Sequence, residues 1–195
     1  MNDLSKSGSL SEFDDNWKNR EETEYTHWTK DKIVNNQIQF AFRSHYKVFS
    51  EIINQKKGKS LEIGCGRGSL SSYFADDNWE TDLLDGSNKI IEVAKKIFLK
   101  NNHKANFYLA NAENLPLDNN IYDVVFSIGL IEHFKYPEKV IQEHYRVAKP
   151  GGWVILYIVP NKISEVQKKF NLFNKLLKVF YSSKKKNRKK RCIQN

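Results

Sequence analysis

The chain has 195 residues, enough for one domain with a sizeable buried core, and 39% of them are hydrophobic against 28% charged. No apolar run approaches the roughly 18–20 residues that a membrane-spanning helix needs. The net charge of +9 is unevenly held: residues 1–161 carry 20 Lys+Arg against 22 Asp+Glu, a charge of −2, whereas residues 162–195 carry 12 Lys+Arg and one acid, Glu165, a charge of +11.

The first stretch, to about Lys32, is polar but contains Phe13, Trp17, Tyr25 and Trp28. Purely disordered tails are poor in aromatics, so part of this extension is expected to pack. Val34, Ile38, Phe42, Phe49, Ile52 and Ile53 recur near a 3.6-residue period and predict a helix over about 33–54. After a polar break, Ser60–Gly64 reads as a short apolar strand. From there helical and extended segments alternate: helix over Ser69–Ala75, strand over Glu80–Asp85, helix over Ser87–Lys100, strand over Ala105–Ala110, strand over Ile121–Ser127, helix over Pro137–Ala148 and strand over Gly152–Val159. Alternation with short connections means an α/β domain with a parallel sheet and helices on both faces, and right-handed crossovers make it doubly wound. A helix is expected to follow over about 162–181. The expected division is therefore an extension or lid over 1–32, a core with its leading helix over 33–160, a C-terminal helix over 161–181, and a basic, disordered tail over 182–195.

That tail contains Lys184, Lys185, Lys186, Arg188, Lys189, Lys190 and Arg191. Such a run is most often a solvated end; the other reading is contact with RNA or an anionic membrane surface. A basic field along a groove would speak for nucleic acid, and the mildly acidic body lacks one. The first thirty residues contain no apolar signal core, and Cys65 and Cys192 match no zinc or redox spacing. A reducing, cytoplasmic location is the default expectation.

In doubly wound sheets, ligands lie beyond the carboxyl ends of the strands, so the informative residues should follow each strand. The first such segment is Leu61-Glu62-Ile63-Gly64-Cys65-Gly66-Arg67-Gly68-Ser69-Leu70, whose glycines allow a tight turn and bare backbone against a ligand. A dinucleotide-binding turn would want its third glycine at position 69, where Ser69 stands. Tight packing of strand on helix explains such a turn equally simply. Asp85, 21 residues after Gly64, can accept hydrogen bonds from both hydroxyls of a ribose; Asp-Gly-Ser before a helix is also capping chemistry. Asn111-Ala112-Glu113, after the third strand, offers a side-chain acceptor beside a backbone N–H, which suits the edge of adenine. The fourth segment runs from Tyr122 through Ser127, Ile128, Glu132 and His133, and the fifth ends in Lys149-Pro150-Gly151-Gly152.

This ordered set resembles the class I, Rossmann-like S-adenosylmethionine-dependent methyltransferases, particularly those that methylate small molecules and lipids, over about residues 58–160. The resemblance implies a sheet of order 3-2-1-4-5 and S-adenosylmethionine as cofactor. It implies contacts from Glu62, Gly64, Cys65, Gly66 and Gly68 to the methionine part, from Asp85 to the ribose, from Asn111 and Ala112 to adenine, and from Ser127 and Ile128 along the cofactor, with Gly86 and Glu113 among the cofactor-binding residues. Asn111 stands where many relatives have Asp, and Gly86 where many have a bulkier residue. Family members normally continue with two further strands; here the sequence runs into Lys184–Arg191 instead, the expectation for either a natively short domain or a truncated product.

Methyl transfer depends mainly on holding donor and acceptor in line and excluding water, so no metal is called for. His133 and Glu132 are the titratable candidates near the acceptor, with His133 able to deprotonate a hydroxyl at neutral pH. Capping or packing of the following turn accounts for both equally well. Trp28, Tyr25, Arg43, His45 and Tyr46 are candidates for a lid, the last three also for ordinary helix packing. Amino-group methyltransferases acting on bases or glutamine often carry Asn/Asp-Pro-Pro-Tyr/Phe after the fourth strand. Ser-Ile-Gly-Leu-Ile-Glu-His replaces it here, which favours a small-molecule or lipid acceptor over nucleic acid. The alternatives are an RNA or protein methyltransferase docking through the tail, and an inactive cofactor-binding homologue. Oligomeric state is left open.

Overall fold

In the computed structural model of the chain, residues 27–31 and 33–159 are described. Helix α1 spans Gln37–Ile53, starting later than its periodicity suggests because the Asn36 side chain accepts from the Gln39 N–H and caps it. It ends where Asn54 turns left-handed at φ 47°. Strand β1 (Lys59–Ile63) runs through the glycine-rich turn into α2 (Ser69–Asp76). Then come β2 (Glu80–Asp85), α3 (Asn88–Lys100), β3 (Ala105–Leu109), β4 (Tyr122–Ile128), a single 3₁₀ turn (Ile131–His133), α4 (Glu138–Val147) and β5 (Ala148–Tyr157). Every strand pairing is parallel and the order is β3-β2-β1-β4-β5, as the alternating segments and the resemblance implied.

Burial follows from this topology. Parallel strands are covered on both faces, so central β1 and β4 are buried along nearly their whole length, with Leu61, Ile63, Val124, Val125 and Phe126 completely buried. On one face Phe49 and Ile53 of α1 and Leu70 and Phe74 of α2 meet Val124 and Phe126. Ile91, Ala94 and Phe98 of α3 meet Leu83. On the other face Val140 and Val147 of α4 meet Leu61, Ile63 and Val125.

The fifth strand begins earlier than expected. Tyr122 pairs with Ala148 and Val124 with Trp153, so Lys149–Gly152 bulges out within the strand rather than preceding it. Gly151 is left-handed there at φ 79°, and Lys149 Nζ is held 2.8 Å from Asp123 Oδ1. The helix expected over 162–181 and the basic tail lie outside the described residues. Among the described residues, no helix is long and apolar enough to cross a membrane.

Two left-handed glycines separate backbone strain from crowding. At Gly68 (φ 66°) an added Cβ would come within 2.5 Å of Leu83 Cδ2 and 2.7 Å of Phe98 Cε2, whereas at Gly151 it would meet nothing within 4 Å. Gly151→Ala should cost about 1 kcal/mol, the conformational penalty alone. Gly68→Ala should cost about 2–4 kcal/mol, because overpacking adds to it. Urea unfolding should show the larger drop in midpoint for Gly68→Ala with an unchanged slope.

Candidate active site

A cavity of about 550 Å³ opens beyond the carboxyl ends of the strands. Its floor is the β1–α2 turn. The Gly64 and Cys65 N–H groups both donate to the Leu84 carbonyl, at 2.8 and 3.0 Å, which fastens the turn to β2. Gly64 (φ 70°), Gly66 (φ 53°) and Gly68 all sit in the left-handed region. Gly64 and Gly66 border the cavity; Gly68 lies beneath it, against Leu83 and Phe98.

Asp85 joins two elements. Its Oδ2 accepts from the Gly66 N–H at 3.2 Å and its Oδ1 from the Ser87 N–H at 3.0 Å. The helix cap is Ser87, whose hydroxyl accepts from the Ile90 N–H, so Asp85 does not cap α3. Its carboxylate borders the cavity, and so does Gly86 beside it.

Glu62 is 3% exposed and lines the cavity from below the turn. Its Oε2 accepts from the backbone N–H of Ser71 (3.1 Å) and from the Ser71 hydroxyl (2.5 Å). Burial pushes its carboxyl up to about 8; the bonds from Ser71 oppose this, and the charge of Asp85 adds to it. Cys65 is buried as well, and burial, with the nearby carboxylates of Asp85 and Glu62, holds its thiol well above the usual range. It is therefore a neutral, packed thiol rather than a nucleophile.

Asn111, Ala112 and Glu113 line the side of the cavity next to β3. Asn111 Oδ1 accepts from the Glu113 N–H at 2.9 Å, making an Asx turn. The loop behind them is clamped from α4. Glu143 Oε2 accepts from the Leu115 N–H, and Arg146 bonds both Glu143 oxygens at 2.7 Å and the carbonyls of Leu115 and Leu117. Arg146 holds the Glu143 carboxyl below its ordinary range.

The fourth strand end divides its candidates. Ile128 borders the cavity, whereas Ser127, on the face shared with Val125, is completely buried and does not. Beyond it, Ile131 is anchored in the core and His133 reaches the cavity beside Leu130 and Phe134. Glu132 does not border it; its Oε1 accepts from the Val159 N–H at 3.0 Å. The chain order Glu132-His133 thus separates into a structural carboxylate and a cavity histidine.

The N-terminal candidates disperse. Trp28 donates its indole N–H to Asp76 at 2.9 Å and does not line the cavity. Arg43 bonds the Thr29 and Asp31 carbonyls. Tyr46 packs on Tyr73 and Phe74 and donates to Asp77. The His45 ring lies 4.4 Å from that of Tyr157, and Tyr25 is outside the described residues. Sequence reasoning missed His27 and Phe42, which line the cavity with their rings stacked at 6.1 Å. It also missed Arg67, Ser69, Leu84, Ser87 and Ile90. Leu130 and Phe134 could have been found, because they flank the candidate histidine in the same segment.

Residues 61–156 match the model of a methyltransferase domain. The ubiquinone biosynthesis O-methyltransferase of Nitrosospira multiformis is 34% identical over 95 residues, 48% of this chain and 40% of that protein. The enzyme of the same description from Nitrosomonas europaea is 34% identical over 106 residues, 53% of this chain and 45% of that protein. The chain thus spans less than half the length of these curated relatives. The crystal structure of an S-adenosylmethionine-dependent methyltransferase from Aquifex aeolicus superposes with a TM-score of 0.56 at 18% identity, covering 62% of this chain and 66% of that one, and shares the fold. The strand order, the glycine turn and the match over residues 61–156 identify that part of the chain as a methyltransferase domain of the class I, Rossmann-like, S-adenosylmethionine-dependent type.

Proposed function

We propose that the cavity binds S-adenosylmethionine and that the chain methylates a hydroxyl group of a small, largely apolar acceptor. One observation carries this reading. The segments after β1, β2, β3 and β4 converge on a single cavity lined by three acidic side chains, Glu62, Asp85 and Glu113, and one guanidinium, Arg67. An excess of carboxylates suits a ligand with a sulfonium and an ammonium group, and 550 Å³ lies within the usual range for small-molecule pockets.

The residues present fit the cofactor. At Gly64 a Cβ would come within 2.8 Å of Leu130 Cδ1, so the turn offers bare backbone where the methionine part would lie. Glu62 would meet the ammonium group and Asp85 the ribose hydroxyls. Asn111, Ala112 and Glu113 would meet the adenine edge, with Gly86 and Ile128 beside the cofactor. Bound there, S-adenosylmethionine supplies an electrophilic methyl group whose bonding electron pair returns to sulfur on transfer. The chain contributes alignment, exclusion of water by Leu130 and Phe134, and a proton acceptor at His133. The relatives' description as O-methyltransferases supports a hydroxyl acceptor, and the apolar wall supports one without phosphate or carboxylate groups.

Calorimetry should show S-adenosylmethionine and S-adenosylhomocysteine binding, with NAD much weaker. Asp85→Ala should weaken both by about 1–3 kcal/mol, the range for leaving hydrogen-bonding groups unpaired. Equal affinity for NAD, or an indifferent Asp85→Ala, would overturn the assignment. For the reaction itself, His133→Phe should slow methylation of a catechol acceptor by roughly 10²–10⁴-fold while the affinity for S-adenosylhomocysteine holds.

Glu62 makes binding pH-dependent. Below about pH 8 the free protein keeps the Glu62 proton, whereas an ammonium group against it favours the carboxylate. Binding at pH 7 should therefore release a proton, measurable as a dependence of binding enthalpy on the buffer, and affinity should fall as pH drops below 8. Glu62→Gln should abolish the release. In the ligand-free protein the unfolded chain ionises near 4.5 and the native state only near 8, so Glu62 should cost stability as pH rises between them.

A further inference from the structure

Residues 110–121 join β3 to β4 without a helix or a strand, and connections of about this length with no structure of their own are uncommon outside functional loops. The last turn of α4 holds this one. The Arg146 guanidinium places every N–H of its fork on an acceptor. Its Nε and Nη2 donate to the two Glu143 oxygens, each at 2.7 Å. Its Nη1 donates to the Leu117 carbonyl at 2.7 Å and to Asn119 Oδ1 at 2.8 Å, and Nη2 donates also to the Leu115 carbonyl at 3.1 Å. Glu143 Oε2 in turn accepts from the Leu115 N–H at 2.6 Å. Further along, the Asn120 and Ile121 amides donate to the Arg146 and Val147 carbonyls at 3.0 and 2.8 Å. One ion pair thus holds both backbone groups of Leu115, whose side chain is buried in the core.

Upstream of Leu115 the same loop faces the cavity. The Asn114 N–H donates to the Asn111 carbonyl at 3.0 Å and closes the turn. Asn111 Oδ1 accepts from the Glu113 N–H at 2.9 Å while Asn111 Nδ2 lies 3.4 Å from Glu113 Oε2, which fixes the amide in one orientation. We propose that Glu143 and Arg146 are positioning residues for recognition of the base. By fixing Leu115 they set where the Asn111 turn stands, and so let the site tell adenine from a purine whose hydrogen-bonding edge is reversed. This rests on the S-adenosylmethionine reading above. Neither residue borders the cavity, and both act through the loop. The argument is one of tolerance. Adenine presents an amino group as donor and a ring nitrogen as acceptor, and the groups that read them must be held to within about 0.5 Å. A loop without helix or strand does not supply that by itself, whereas a bidentate arginine–carboxylate pair adds geometric specificity as well as strength. Hypoxanthine presents an acceptor and a donor in the opposite places, so a side-chain oxygen and a backbone N–H each meet a like group. The Asn111 amide is kept from flipping to suit it, because Glu113 engages both of its ends.

The test uses the full chain and two ligands that differ only in the base, S-adenosylhomocysteine and S-inosylhomocysteine, with affinities measured by calorimetry. The unmodified chain should favour the adenine ligand roughly tenfold to a hundredfold, the worth of leaving hydrogen-bonding groups unpaired. Arg146→Gln should lower that preference about tenfold. Arg146→Lys should recover only part of it, because an ammonium group has three donors and no planar fork. Glu143→Gln keeps the side chain's volume and removes its charge. It should lower the preference by a smaller factor, and it remains informative if Arg146→Gln does not fold. Asp85→Ala is the control: it should weaken both ligands alike, since the ribose is the same in both. A preference unchanged in Arg146→Lys and Glu143→Gln, whether the two affinities hold or fall together, overturns the inference and reduces the pair to a support of the fold. An unmodified chain that binds both ligands equally also overturns it and leaves cofactor binding standing. Failure of the unmodified chain to bind S-adenosylhomocysteine removes the S-adenosylmethionine reading itself, and the role of the pair with it.

Discussion

The turn after β1 is the constraint on which the site depends. Three left-handed glycines in five residues bring the chain from the centre of the sheet into α2, and the Gly64 and Cys65 amides fix it to the Leu84 carbonyl. Space is as restrictive as conformation here, since at Gly68 any side chain would enter the volume of Leu83 and Phe98. With the turn fixed, the Gly66 amide holds the Asp85 carboxylate, and the bottom of the cavity becomes one hydrogen-bonded unit drawn from two strands.

That arrangement has an electrostatic cost. Glu62 is buried under the turn, and although Ser71 offers it two hydrogen bonds, desolvation outweighs them. A buried carboxyl poised to ionise lies beside Asp85 in a cavity also lined by Glu113 and by one guanidinium, Arg67. Such a site favours a cationic ligand over an anionic one, which separates it from a dinucleotide pocket built on the same topology. The stability lost at Glu62 is the kind of local conflict that persists where a binding function retains it.

Support for the site comes from the opposite face and from the chain's start. Arg146 and Glu143 on α4 hold the loop behind Asn111, and no cavity residue is needed to explain them. Arg43 and Asp76 hold residues 27–31. The fourth strand end illustrates why adjacent residues part company. Glu132 is drawn to the Val159 amide two residues past β5, and Ile131 is drawn into the core, which leaves His133 at the cavity.

The sequence by itself determined the sheet, its order through the family resemblance, and most of the cavity floor. Strand-end residues are legible because short extended segments alternate with helical ones, and topology then places whatever follows the strands at one edge. It determined less well where elements begin. The α1 start was set by the Asn36 side chain, and the β5 start by a bulge that lets Ala148 pair with Tyr122 before Trp153 resumes with Val124. Only the tertiary structure decided that Ser127 points into the core, that Glu132 serves β5, and that His27 and Phe42 rather than Trp28 or Tyr46 reach the cavity. Periodicity specifies the buried face of an element, but contacts between residues far apart in the chain depend on how two buried faces meet. His27 lies in a segment with no period at all, and its surroundings, the Phe42 ring and the tethers of its neighbours to Asp76 and Arg43, are contacts that no local pattern encodes.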